Sequence, residues 1–197
     1  MDGFSSALVV ALVTIFVAEM GDKSQLLAMA FAATFKTSQI LVGITIATAV
    51  VHMVSVLIGS VLGAAIPTRA VSVVAGLAFL GFAWWTLRGD ELDDSDSRLI
   101  EEAERSGRSP VVAASVAFGV SELGDKTMLA TITLAAQNDV IGTWLGSTIG
   151  MVAADAVAIG VGAWLGNRLP ERVVRIGASV LFVAFGAYLI AEGAFGW

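Results

Sequence analysis

Hydrophobic positions dominate this chain so heavily that its polar residues mark the structure. Apolar runs and their interruptions predict six helical spans, at roughly 5–34, 40–65, 69–88, 111–136, 140–166 and 172–194. Several exceed the roughly 20 apolar residues needed to cross a bilayer. Pro67 and Pro170 punctuate short connections between spans. The one long polar stretch, 88–110, reads as a solvated linker with a short helix near 97–106. The first span is anomalous in length. From Phe4 to Phe35 is 32 residues, about 48 Å as a straight helix, against a hydrocarbon core of about 30 Å. It must tilt, project or break, and Gly21 is the expected break, with Gly124 as its counterpart.

The two halves of the pattern are copies. A gapless shift of 103 residues carries Glu19 onto Glu122, Gly21 onto Gly124, Asp22 onto Asp125 and Lys23 onto Lys126. The register holds well beyond that motif: Gly43 falls on Gly146, Gly59 on Gly162, Gly63 on Gly166, Pro67 on Pro170 and Phe79 on Phe182. Residues 1–88 and 110–197 are therefore expected to be three-helix repeats joined by the linker 89–109. An odd number of spans per repeat makes the second enter from the opposite side. That inverted architecture recurs in secondary transporters, with the binding site between the repeats near the midplane.

Composition agrees with an all-α integral membrane protein. Residues are 57% hydrophobic and 14% charged, where soluble domains carry about 25% charge. Nucleic-acid binding is set aside and the lipid bilayer is the expected surrounding. The net charge of −6 is mostly the linker's, which holds eight acids and four arginines between Arg88 and Arg108. The absence of cysteine excludes disulfides and thiolate metal sites. The N-terminal stretch lacks a basic leader and is expected to be a retained span. Lys36, Arg88, Arg98, Arg105, Arg108, Arg168, Arg172 and Arg175 fall on one side of the six-span arrangement and Arg69 on the other. The positive-inside rule then puts the linker in the cytosol and both termini outside. Trp84, Trp85, Trp144, Trp164 and Trp197 sit near span ends. Glycines spaced by four, Gly59–Gly63, Gly162–Gly166 and Gly142–Gly146–Gly150, would let helices approach closely.

Charges inside the spans carry the chemistry. A carboxylate or lysine at the bilayer centre costs at least about 2.5 kcal/mol on insertion scales. Each motif places Glu, Asp and Lys on one helical face at i, i+3 and i+4. If the two faces meet, Glu19, Asp22, Glu122 and Asp125 converge, and Lys23 and Lys126 offset half of their charge. The remainder suits one divalent cation. Oxygen ligands are hard and favour Ca²⁺, Mn²⁺ or Mg²⁺, and Ser24, Gln25 and Thr127 could add neutral donors. A second pair related by the shift, His52 and Asp155, is buried in spans two and five. Each is either a packed polar residue, or a proton relay or outer ligand.

With these residues in view, the chain resembles a known family. The motifs Glu19-Met20-Gly21-Asp22-Lys23-Ser24 and Glu122-Leu123-Gly124-Asp125-Lys126-Thr127, separated by an acidic loop, are similar to those of the cation/proton exchanger family of transmembrane protein 165. The resemblance covers essentially the whole chain. It implies a secondary antiporter, not an enzyme, that exports Mn²⁺ (with Ca²⁺ as the alternative) against protons, with no permanent cofactor. It also implies a bacterial-type plasma membrane, and leaves the oligomeric state open, a homodimer included. A cation channel using the same acids as a selectivity ring is the main alternative. An intramembrane aspartyl protease fits poorly, because each Asp is followed by Lys and Glu precedes each motif Gly by two.

Overall fold

The structure, a computed structural model, describes residues 3–88, 94–105, 107–165 and 171–195. The helices are α1 (Gly3–Glu19), α2 (Lys23–Thr34), α3 (Thr37–Ala65), α4 (Thr68–Arg88), α5 (Asp94–Arg105), α6 (Pro110–Glu122), α7 (Lys126–Ala135), α8 (Val140–Leu165) and α9 (Glu171–Phe195). Gly166, Arg168, Pro170 and Trp197 lie outside the described residues, as do the side chains of Trp164, Arg172 and Arg175.

Four stretches are long and apolar enough to cross a membrane: Thr37–Ala65, Thr68–Arg88, Val140–Gly162 and Ile176–Phe195. The pair α1 and α2 makes a fifth candidate, bent by 75° at the break between them. The overlong first span thus resolves its mismatch by breaking beside Gly21. The expected span 111–136 is broken at the equivalent place. Its first piece, Pro110–Glu122, is apolar but at 13 residues too short to cross alone.

The long helices turn polarity inwards. Thr48, His52 and Ser55 on α3 are buried, whereas Val50, Val54, Leu57 and Val61 on the same helix are exposed. The same holds on α8, where Thr143, Ser147 and Asp155 are buried and Ile149 and Val157 face out. A water-soluble helix would show the reverse. Apolar exterior is what lipid requires, and the interior is left for polar groups.

Close glycine contacts give the helix directions. Gly142 meets Phe4 and Ala7, Gly146 meets Ala11, and Gly150 meets Leu12 and Phe16, so α8 runs parallel to α1. Gly43 meets Val111 and Ala114, while Gly59 meets Ile132 and Ala135, so α3 runs parallel to α6 and α7. The third pair is antiparallel: Gly76 meets Gly186 and Ile190, and Gly193 meets Arg69 and Val73, on α4 and α9. Each half's broken helix therefore packs on the other half's long helix. The contacts repeat at the shift of 103, since Gly43 on Ala114 mirrors Gly146 on Ala11. Two pairs of equivalent residues even touch each other. Thr48 donates to the Met151 sulfur at 3.4 Å, and the rings of Phe79 and Phe182 lie 5.8 Å apart.

Two apolar clusters bracket the breaks. One draws Ala11, Ile15 and Ala18 from α1, Ala130 and Leu134 from α7, and Phe79, Phe82, Met151 and Phe182. The other draws Leu27, Ala28 and Phe31 from α2, Ala113, Ala114, Ala117 and Phe118 from α6, Ile40 and Ile44 from α3, and Ala103 from α5. Trp84 is exposed with the Arg88 guanidinium 3.6 Å over its ring, and the Trp144 indole donates to the Ala49 carbonyl at 2.9 Å.

A side chain at Gly43 has no room, since its Cβ would stand 2.6 Å from Ala114 Cβ and 2.8 Å from the Val111 carbonyl. Gly43→Val is expected to destabilise the detergent-solubilised protein by about 1–3 kcal/mol, as overpacked contacts do. Gly119→Ala, with nothing within 4 Å, is expected to leave thermal unfolding nearly unchanged.

Candidate functional site

Each motif folds into an elbow between two half-helices. Gly21 and Gly124 take φ values of 77° and 83°, a left-handed conformation in which any other residue except Asn or Asp is strained. Glu19 ends α1 and Glu122 ends α6, whereas Asp22 and Asp125 are the N-cap residues of α2 and α7. The aspartates thus stand at positive helix ends and the glutamates at negative ones, so the two acid types meet opposite local fields. The Asp125 side chain accepts from the Thr127 amide at 3.3 Å. In both elbows the hydroxyl two residues beyond the Asp turns back to the Glu. Ser24 donates to Glu19, and Thr127 donates to Glu122 at 2.8 Å.

The four motif acids are buried, with Glu19 at 0%, Asp22 at 1%, Glu122 at 2% and Asp125 at 7% exposure. They act on one another electrostatically across the two halves, and Asp155 joins them. Glu19 feels Glu122, Asp22, Asp155 and Asp125, and Glu122 feels Asp125, Asp22 and Asp155. The parallel run of α1 and α8 explains this, because it carries Asp155 to the level of Glu19. His52 is equally buried but is not among the charged groups acting on Glu19 or Glu122. Both its ring nitrogens lack a partner among the described residues, as do both oxygens of Asp155 and one of Glu19.

The lysines part company. Lys126 is buried and its ammonium lies 2.7 Å from an Asp22 oxygen, an ion pair between the halves. Lys23 is only half-buried and forms no ion pair among the described residues. Of the two lysines expected to balance the four motif acids, only Lys126 forms an ion pair with one of them among the described residues. Among the described residues no three His, Asp or Glu side chains are drawn tightly enough to hold a metal ion. Here the Lys126 ammonium and the two hydroxyls take up carboxylate oxygens that a cation would need. Gln25 is buried: its Nε2 donates to the Ala154 carbonyl at 3.2 Å, and its Oε1 accepts from the Gly21 amide at 2.9 Å. One site residue escaped the reading of the sequence. Met128, the counterpart of Gln25 at the shift of 103, accepts from the Gly124 amide at 3.2 Å. The shift itself was the signal that could have found it.

Comparison with known proteins gives the family. The family described as "Divalent cation/proton antiporter GDT1" matches the chain twice, at residues 7–94 and 110–197. A protein of Vibrio cholerae serotype O1 named "Putative manganese exporter" is 32% identical over 181 residues, covering 90% of this chain and 87% of its own. A chloroplastic GDT1-like protein 2 of Oryza sativa subsp. japonica is 31% identical over 91% of this chain, which spans only 59% of that longer relative. A GDT1-like protein of Synechocystis is 28% identical over 91% of this chain and 94% of its own. No solved structure matches the chain. Buried acids at paired elbows, a doubled family match and near full-length relatives lead to one conclusion: the chain is a multi-pass membrane transporter, not an enzyme, and belongs to the GDT1 family of divalent cation/proton antiporters.

Proposed function

We propose that this transporter exports Mn²⁺ from the cytosol in exchange for protons, with Ca²⁺ as the alternative cargo, by alternating access at the elbow cluster. One observation carries the reading: five carboxylates are buried, four of them at the paired elbows of the two halves, and one buried ammonium is ion-paired among them, to Asp22. In apolar surroundings such an excess of negative charge is too costly to stand uncompensated. Protons or a divalent cation must make up the difference, and each displaces the other. The set titrates together and not as separate acids. Glu19 and Glu122, at negative helix ends and already bonded to hydroxyls, are the members proposed to take protons. Asp22 and Asp125, with Ser24, Gln25 and Thr127 nearby, are proposed to hold the metal. Asp155 extends the proton path on one side, and His52 is its proposed counterpart on the other. Manganese as cargo is supported by the name of the Vibrio cholerae relative.

The same reading has six spans in two inverted repeats, 1–88 and 110–197, with 89–109 as a cytosolic linker and both termini outside a bacterial-type plasma membrane. Parallel α1 and α8 with antiparallel α4 and α9 support it, because inversion requires those directions. In this reading α6 and α7 cross together, as α1 and α2 do, with Gly21 and Gly124 as hinges. A channel would need a continuous polar path, whereas apolar clusters lie on both sides of the elbows. Packing of that kind favours a carrier.

Purified protein in liposomes is expected to move Mn²⁺ against an imposed pH gradient, and Glu19→Gln or Asp125→Asn to abolish that exchange. Metal flux that ignores the pH gradient would support a channel instead, and unaltered exchange in both variants would refute the site. Removing the buried ammonium strands Asp22. Lys126→Met is expected to cost about 3–5 kcal/mol, the range for breaking a buried pair, read as a lower melting temperature in detergent. Lys23→Met is expected to cost about 1 kcal/mol or less, because no ion pair among the described residues is lost with it.

A further inference from the structure

The two elbows carry the same Glu, Gly, Asp and Lys, yet they are anchored differently. In the first, the Gln25 amide works in two directions. Its oxygen holds the Gly21 N–H at 2.9 Å, and its nitrogen donates to the Ala154 carbonyl of α8 at 3.2 Å. It therefore ties the turn that carries Glu19 and Asp22 to the helix that carries Asp155. In the second, Met128 holds the Gly124 N–H at 3.2 Å. A thioether has no hydrogen to donate, so it cannot make the second bond, to the equivalent carbonyl on α3. Exposure follows the same division. Leu123 is 62% exposed and Gly124 is exposed, whereas their counterparts Met20 and Gly21 are half-buried.

We propose that Gln25 is a positioning residue that makes Glu19, Asp22 and Asp155 the fixed half of the site, while the elbow at Gly124, where Met128 replaces Gln, is the half that moves. Glu122 and Asp125 then swing against a rigid partner, and Lys126, at the start of α7, moves with them, so that its ion pair with Asp22 of the fixed half breaks and reforms with the swing. A bond from residue 128 to α3 would clamp the moving half. Loss of the bond from Gln25 would loosen the fixed one.

Backbone hydrogen exchange of the intact protein in lipid nanodiscs, read by mass spectrometry, tests this directly. In the wild-type protein, amides 123–126 are expected to exchange faster than amides 20–23. Met128→Gln is expected to slow exchange at 123–126 by roughly fivefold, the factor by which a hydrogen bond worth about 1 kcal/mol shifts an opening equilibrium. Gln25→Met is expected to speed exchange at 20–23 by a similar factor, and it carries the test if Met128→Gln does not fold. Unchanged protection of α4 and α9 shows that a variant is folded. Equal exchange at the two wild-type elbows, or no response to either substitution, would overturn the proposal. The effect on transport rests on the exchanger reading. Met128→Gln is expected to lower the saturating exchange rate while leaving KM for Mn²⁺ nearly unchanged, as clamping predicts and loss of a ligand does not. Absence of transport in the wild-type protein would count against the exchanger reading alone, because the exchange measurement needs no flux.

Discussion

Burial of carboxylates where neither water nor lipid can solvate them is the constraint on which this structure depends. Glu19, Asp22, Glu122, Asp125 and Asp155 are all inside, and a single ammonium, that of Lys126, reaches in among them. Such a cluster cannot be stabilised by packing alone. It needs helix ends, hydroxyls and a mobile positive charge. The breaks at Gly21 and Gly124 supply the helix ends, because a continuous helix would offer no free termini at that depth. The rest of the architecture serves to bring two such breaks together. Small residues at Gly43, Gly59, Gly146 and Gly162 allow each broken helix to lie directly on the long helix of the other half.

Because partners are exchanged between halves, the interface and the site are the same place. A half on its own would lose the long helix of the other half on which its broken helix lies. The antiparallel pair α4 and α9, joined by the ring cluster of Phe79, Phe82, Phe182 and Phe185, makes a further contact between halves without a charge in it. An apolar seam of that kind can adjust without exposing a buried ion. The acidic centre has no such freedom, and any motion there changes which charges face one another.

Much of this was legible in the sequence because a repeated motif is a geometric statement. Identical spacing in two copies made Glu19 and Glu122, and Asp22 and Asp125, equivalent positions before any coordinates, and the overlong first span announced its own break. The glycine spacings foretold the close contacts. What the motif could not tell was how two equal halves become unequal. Lys23 and Lys126 are the same residue at the same position of the pattern, and only the folded chain separates a half-buried lysine from one in an ion pair. Asp155 read as a relay candidate, because its approach to Glu19 depends on the parallel run of α1 and α8 and not on local periodicity. Met128 went unread because a methionine in an apolar helix carries no polar signal of its own.

The inequality shows in the charges near each elbow. α8 brings Asp155 to the level of Glu19, whereas the equivalent position on α3 is His52, which brings no carboxylate. The Lys126 ammonium is bonded to Asp22, and Glu19 and Asp125 also act on it. Lys126 thus reaches across to an acid of the other half, while Lys23 stays half-buried with no ion pair among the described residues. Pseudo-symmetry supplies two equivalent positions for a buried ammonium, and the folded chain fills one of them.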